Sequence, residues 1–305
     1  MAPLTRPPAA VLQEPDGRPP DNLGRAVGYM LLAAAVLPGI NACAKYLGEY
    51  SVIQITWARY AGHFAFMIVL FAPSNGLGIL RSSRPKLQLL RSALHCGSAV
   101  LTITALGMVS LPTVTAISFL SPLIVTMLAP MLLGERLTLD RALAVAVGFA
   151  AALIIVRPGF GDQNLAMVLL LGNALCSANV QILSRRLAAH DRALTSNTYM
   201  VVIGFVLMSL PLPFVWRNPA DMQDVIAFLL IGIFGGIGHY FLVSAYEQAP
   251  ASFVSPFNYA QIVAATILGY VIFGQLPDLW TWVGAALITA SGIYLLLRER
   301  RRGRA

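Results

Sequence analysis

The sequence predicts an all-α polytopic membrane protein, with ten transmembrane helices arranged as two inverted five-helix repeats. Three observations predict it. Only 11% of the 305 residues are charged and 57% are hydrophobic, whereas soluble domains carry about 25% charged residues. Ten apolar runs each approach the roughly 20 residues that cross a bilayer. Sliding the chain by 140 residues lays the first five runs on the last five.

The runs lie at 26–44, 53–72, 90–109, 113–133 and 140–157, then at 164–184, 196–216, 224–246, 251–273 and 279–297. Ahead of them, residues 1–24 hold Pro3, Pro7, Pro8, Pro15, Pro19 and Pro20 among Arg, Asp and Gln. Such a tail buries too little apolar surface to offset ordering entropy and should be disordered. The first run begins late for a cleaved leader and continues past Ala33–Ala35, so it reads as a permanent span.

Each span has its own punctuation. Span one carries Pro38-Gly39, then Asn41. Span two holds Arg59 and, one helical turn on, His63. His95 begins span three. Span four is interrupted by Ser118, Ser121 and Pro122, then Pro130. Span six holds Asn173, Ser177 and Asn179, spaced to share roughly one face. Span eight carries Gly232-x-x-x-Gly236 and Gly238, which permit close helix approach, followed by His239 and Tyr240. In span nine Pro256 precedes Asn258, Tyr259 and Gln261. A proline here frees a backbone carbonyl and permits a kink where neighbours or water satisfy it.

The repeat register places Gly134-Glu135 on Gly274-Gln275, Pro73 on Pro213, Thr126 on Thr266 and Lys45 on Arg185. Ala144 and Ala152 fall on Gly284 and Gly292, with a two-residue slip near Pro112 and Pro250. Five is odd, so the halves start on opposite sides of the membrane, related by a pseudo-two-fold axis in its plane. Secondary transporters use this architecture and bind substrate near the midplane between repeats. Gene duplication alone would leave the same repeat in an inert scaffold.

Of the 21 basic residues, all but Lys45, Arg59, Arg157 and Arg217 fall in segments on the amino-terminal side of the membrane. The positive-inside rule makes that side cytoplasmic. These are short topogenic loops without interleaved aromatics, which argues against nucleic-acid binding. Cys43, Cys96 and Cys176 lie in apolar runs and read as small buried side chains. The chain has no phosphate loop, no H-E-x-x-H, no G-x-S-x-G and no Cys/His metal spacing. It is therefore expected not to be an enzyme, and to need neither metal nor cofactor.

A charge at bilayer depth costs roughly 2.5–3.5 kcal/mol on insertion scales and tends to face a cavity or a partner. Arg59 and His63 would offer a cation and a titratable donor to an anionic or carbonyl-bearing substrate; Arg59 would equally serve by tying down helix ends. His95, His239 and Tyr240 are candidates for substrate contact or for structural hydrogen bonds. Asn173 and Asn179 either line a path or glue helices. Asn258, Tyr259 and Gln261, beside the span-nine break, suit a flat ligand with a polar edge. Pro38, Gly39, Pro122 and Pro256 are the candidate hinges.

Within residues 113–160, the stretch SFLSPLIVTMLAPMLLGERLTLDRALAVAVGFAAALIIVRPG resembles the end of the first repeat in the EamA family of the drug/metabolite transporter superfamily. Residues 249–299, APASFVSPFNYAQIVAATILGYVIFGQLPDLWTWVGAALITASGIYLLLRE, resemble the matching end of the second. Gln275 departs from the acidic residue that would match Glu135. The resemblance implies repeats at 25–160 and 161–298, a basic cytoplasmic tail at 299–305, a central cavity and alternating access. It implies a secondary transporter of a small organic metabolite in the inner (plasma) membrane. A heteroaromatic or zwitterionic substrate such as riboflavin or S-adenosylmethionine is expected; export of amino acids or similar compounds is the alternative. The expected partners are the substrate and the lipid bilayer, with a homodimer left open.

Overall fold

The computed structural model describes residues 22–133, 139–156, 163–188, 190–249 and 251–302. The Gly134-Glu135 pair and most of both tails lie outside them. Among the described residues the chain forms helices and no strands. The first half contains α1 (Leu23–Tyr46), α2 (Val52–Asn75), α3 (Pro85–Leu106), α4 (Leu111–Ser118), α5 (Ser121–Leu133) and α6 (Leu139–Val156). The second contains α7 (Gln163–Ala188), α8 (Ala193–Ser209), α9 (Leu212–Val215), α10 (Met222–Gln248), α11 (Ala251–Val254), α12 (Ala260–Phe273) and α13 (Leu279–Arg302). Short 3-10 turns occupy Gly76–Leu80 and Ser255–Tyr259.

Every apolar run holds helix, with differences at particular ends. Spans four and nine are each interrupted, as α4–α5 and α11–α12. α1 starts inside the expected tail because Asn22 caps it, its Oδ1 accepting from Arg25 N at 3.1 Å. α13 runs to Arg302, beyond the end expected at 297, because arginine is a good helix former where propensity alone decides. Stretches of α1, α3, α4–α5, α7, α10 and 256–273 are long and apolar enough to cross a membrane, and α6, α8 and α13 hold shorter apolar stretches. Large apolar side chains such as Val69, Val168, Val263 and Val271 lie exposed on these helices. That surface belongs in hydrocarbon, and the chain is a multi-pass membrane protein.

The halves pack by exchange. α1 packs along α10 and α12, and its counterpart α7 packs along α3 and α5. α2 lies on α10 where α8 lies on α3, and the equivalent helices α6 and α13 pair directly. Leu106, Leu111, Ile117, Leu120, Leu123, Leu170 and Ile231 are fully buried in the shared core. The tightest crossing joins α2 to α10. A Cβ on Gly62 would stand 2.5 Å from the Gly232 Cα, so the two backbones touch.

A polar clasp closes each end of the bundle at equivalent corners. At one, Tyr50 donates to Asp224 and accepts from Ala220 N at 2.8 Å. Beside it, Gln54 exchanges two hydrogen bonds with the Arg217 backbone. At the other, Asp191 accepts from Ser82 Oγ at 2.5 Å, Ser83 N at 2.9 Å and Gln88 Nε2 at 2.8 Å. Partial burial works to raise the Asp191 carboxyl, but hydrogen bonds from Ser82, Gln88 and Ser83 outweigh it and hold it at about 2 instead of 3.8. Its folded value lies below its unfolded one. The contribution to stability is therefore complete above pH 3.8 and fades as pH falls towards 2. Asp191→Ala is expected to destabilise the protein at pH 7 by about 1 kcal/mol, read as a lower unfolding midpoint in detergent. An unchanged midpoint would show that the clasp adds nothing.

Candidate functional site

The two interrupted spans meet at a cavity of about 530 Å³. Its walls come from both halves: Asn41 of α1, His95 and Ser98 of α3, Gln181 and Arg185 of α7, Tyr246 of α10 and Gly292 of α13. Ser118, Phe119, Ser121, Pro122 and Thr126 face it from the first break, and Asn258, Tyr259 and Gln261 from the second.

Each break follows from local chemistry. At the first, Phe119 N and Leu120 N turn back to Ala116 O and Ile117 O, tightening the end of α4 into a 3-10 turn. Pro122 then sits in the first turn of α5, directly after Ser121, where a missing N–H costs least. At the second, Pro256 enters the 3-10 turn at Ser255–Tyr259. The two helices that leave the breaks carry the same brace: Thr126 Oγ1 donates to Pro122 O at 3.1 Å and Thr266 Oγ1 to Ile262 O at 2.9 Å.

Phe119 and Tyr259, separated by the repeat offset, meet with ring centroids 4.6 Å apart and planes inclined by 33°. Tyr259 has room because position 292 is glycine: a Cβ there would lie 1.7 Å from its hydroxyl. Around this aromatic pair the polar groups are held in place. Gln181 Nε2 donates to Ser121 Oγ at 2.9 Å. Gln261 Nε2 donates to Asn258 Oδ1. Asn173, itself buried, accepts from Ser98 at 2.5 Å and donates to Ser118 at 3.1 Å, fixing two wall hydroxyls from behind.

The sequence candidates thus divide by position. His95, Pro122, Asn258, Tyr259 and Gln261 face the cavity, and Asn173 supports its wall. Asn179 turns its amide to Leu175 O of its own helix, at 2.9 Å. Arg59, His63 and His239 form a separate cluster between α2 and α10. His63 and His239 stack with centroids 5.1 Å apart, and Arg59 lies 5.8 Å from the Tyr60 ring. The Tyr60 hydroxyl is 2.8 Å from His95 Nδ1, which connects this cluster to the cavity wall. His239 Nδ1 is 2.9 Å from Gly235 O. Tyr240 is exposed, beside a second pocket of about 100 Å³ that His239 also lines. Pro38 lies within the unbroken α1, and Gly39 makes room for the Phe234 ring.

Sequence reasoning missed Phe119, Gln181 and Arg185. The repeat register contains the signal for Phe119, as the mate of Tyr259. Arg185 was masked by its second reading as a topology signal.

Known proteins resemble this one over most of its length. The riboflavin transporter of Vibrio cholerae is 28% identical over 284 residues, covering 90% of this chain and 94% of that protein. The S-adenosylmethionine uptake transporter of Rickettsia felis is 25% identical over 278 residues, covering 90% and 93%. One solved crystal structure, 19% identical in sequence, superposes with a TM-score of 0.62 over 91% of this chain and 98% of its own, and so shares the fold. The EamA-like transporter family matches residues 24–157 and again 164–298. With both repeats matched, the chain belongs to the EamA family of the drug/metabolite transporter superfamily and is a transporter of small metabolites.

Proposed function

We propose that the chain carries a heteroaromatic or zwitterionic metabolite, of the riboflavin or S-adenosylmethionine type, across the inner membrane by alternating access and without chemical change. In this reading ten helices cross the bilayer as two oppositely oriented repeats, both termini are cytoplasmic, and the cavity is the substrate site. One observation carries it: an aromatic pair and a set of braced amides and hydroxyls face a cavity walled by both halves. Rings supply a flat apolar surface, while Asn258, Gln261 and Gln181 supply donors and acceptors for a polar edge. A volume of about 530 Å³ falls within the 300–1,000 Å³ range of small-molecule sites. The names of the Vibrio and Rickettsia relatives support both substrate types.

Counterflow in right-side-out and inverted membrane vesicles tests the reading. Vesicles preloaded with riboflavin or S-adenosylmethionine should accumulate the labelled compound faster than empty ones, with saturation. Acceleration by amino acids alone would assign the chain to amino-acid export. Uptake that never saturates or responds to preloading would replace the carrier with a pore.

A further inference from the structure

The two ends of the cavity are not closed alike. α1 packs against α3 and α4, and its repeat mate α7 has no contact of like extent with α10 or α11 among the described residues. One side chain spans the tighter end. Lys45 Nζ donates to Leu106 O and to Val109 O, each at 2.8 Å, and lies 5.8 Å from the Phe273 ring. Leu106 is the last residue of α3. Its carbonyl belongs to the group left without intrahelical donors, where the helix end is partly negative. An ammonium with three donors suits that place.

Arg185 stands at the equivalent position of α7, one repeat offset on. It is exposed, lines the cavity, and donates no hydrogen bond to a described residue. The carbonyls equivalent to those held by Lys45 are the ones that end α10, around Ala245–Gln248. The chain thus has two cations in matching places, one engaged and one without a hydrogen-bond partner among the described residues.

We propose that Lys45 and Arg185 are paired positioning residues that set which side of the cavity is shut. Lys45 clamps the end of α3 in the conformation seen here. When the cavity turns over, Lys45 releases and Arg185 clamps the end of α10. Hydrogen bonds to neutral carbonyls suit this alternation, because neither cation leaves an unpaired carboxylate behind. The inference rests on the alternating-access reading above. With Arg185 on the basic, cytoplasmic side, the cavity seen here opens to the cytoplasm.

The test uses the full chain with Cys43, Cys96 and Cys176 changed to alanine and Ser177→Cys added in the cavity wall. A membrane-impermeant maleimide is applied to right-side-out and inverted vesicles. The parent should label chiefly in inverted vesicles. Lys45→Met should raise labelling from the outer face about tenfold, a shift of a two-state population, and Lys45→Arg should restore the parent pattern. Arg185→Met should lower outer labelling below the parent. A residue that merely caps α3 would leave the ratio of the two faces unchanged, so an unchanged ratio in Lys45→Met overturns the inference while saturable transport stands. If Lys45→Met fails to reach the membrane, an unchanged ratio in Arg185→Met overturns it instead. Equal labelling of the parent from both faces would overturn the assignment of this conformation as open to the cytoplasm with Lys45 holding the other end shut, and with it the pairing, while saturable transport stands.

Discussion

Gly232→Val is expected to remove most folded protein from the membrane. The Gly62–Gly232 contact is backbone against backbone, with a new Cβ only 2.5 Å from a Cα. No rotamer change relieves such a clash; α2 and α10 must move apart. Overpacking in a dense core costs about 1–3 kcal/mol and occasionally more, and here the displacement spreads along the crossing. Gly236, one turn on, lies 2.4 Å from Phe66 by the same measure, and Gly39 takes the Phe234 ring. Separation at Gly232 therefore loosens several contacts at once. Size-exclusion chromatography in detergent should show Gly232→Val mostly aggregated or absent. Gly97→Ala is the control, since a Cβ there meets nothing within 4 Å. A monodisperse Gly232→Val variant at parental yield would mean the crossing tolerates a wider spacing.

The second large effect is expected at Tyr259. If its ring is a platform for the substrate, Tyr259→Ala loses stacking worth about 1–3 kcal/mol, so the half-saturation concentration should rise by roughly 5- to 150-fold. Maximal rate should change less. Tyr259→Phe keeps the ring and should stay near the parent. Gly292→Ala leaves Tyr259 chemically intact but puts a Cβ 1.7 Å from its hydroxyl. The ring must leave its place, and the loss of affinity should approach that of Tyr259→Ala. Labelled-substrate uptake over a concentration series separates the two parameters. Parental half-saturation in both Tyr259→Ala and Gly292→Ala would remove the aromatic pair from recognition.

The helix positions were legible in the sequence because length and apolarity set a crossing, and both are one-dimensional properties. The breaks at Pro122 and Pro256 were legible for the same reason, since proline acts on its own backbone. The azimuth of a side chain was not. A helix apolar on every side gives no stripe to mark its inward face, so Arg59 and His63 could be assigned to span two but not to a face of it. The structure turns His63 towards α10, where it meets His239, and neither it nor Arg59 is in the cavity wall. Asn173 and Asn179, expected to share a face, are six residues apart and so about 120° from each other around α7; one braces the wall and the other bonds its own helix. Phe119 was hidden because an apolar ring among apolar neighbours carries no signal until its repeat mate is considered.

The closest backbone crossing lies away from the interrupted spans. Gly62 and Gly232 join α2 to α10, while Phe119, Asn258 and Tyr259 sit at two short turns, with Gln261 just after the second, and face the cavity. Cargo preference can therefore drift by exchanging a handful of side chains on the turns while the scaffold is inherited intact. A duplicated gene of this kind would diversify in what it carries long before it diverged in shape.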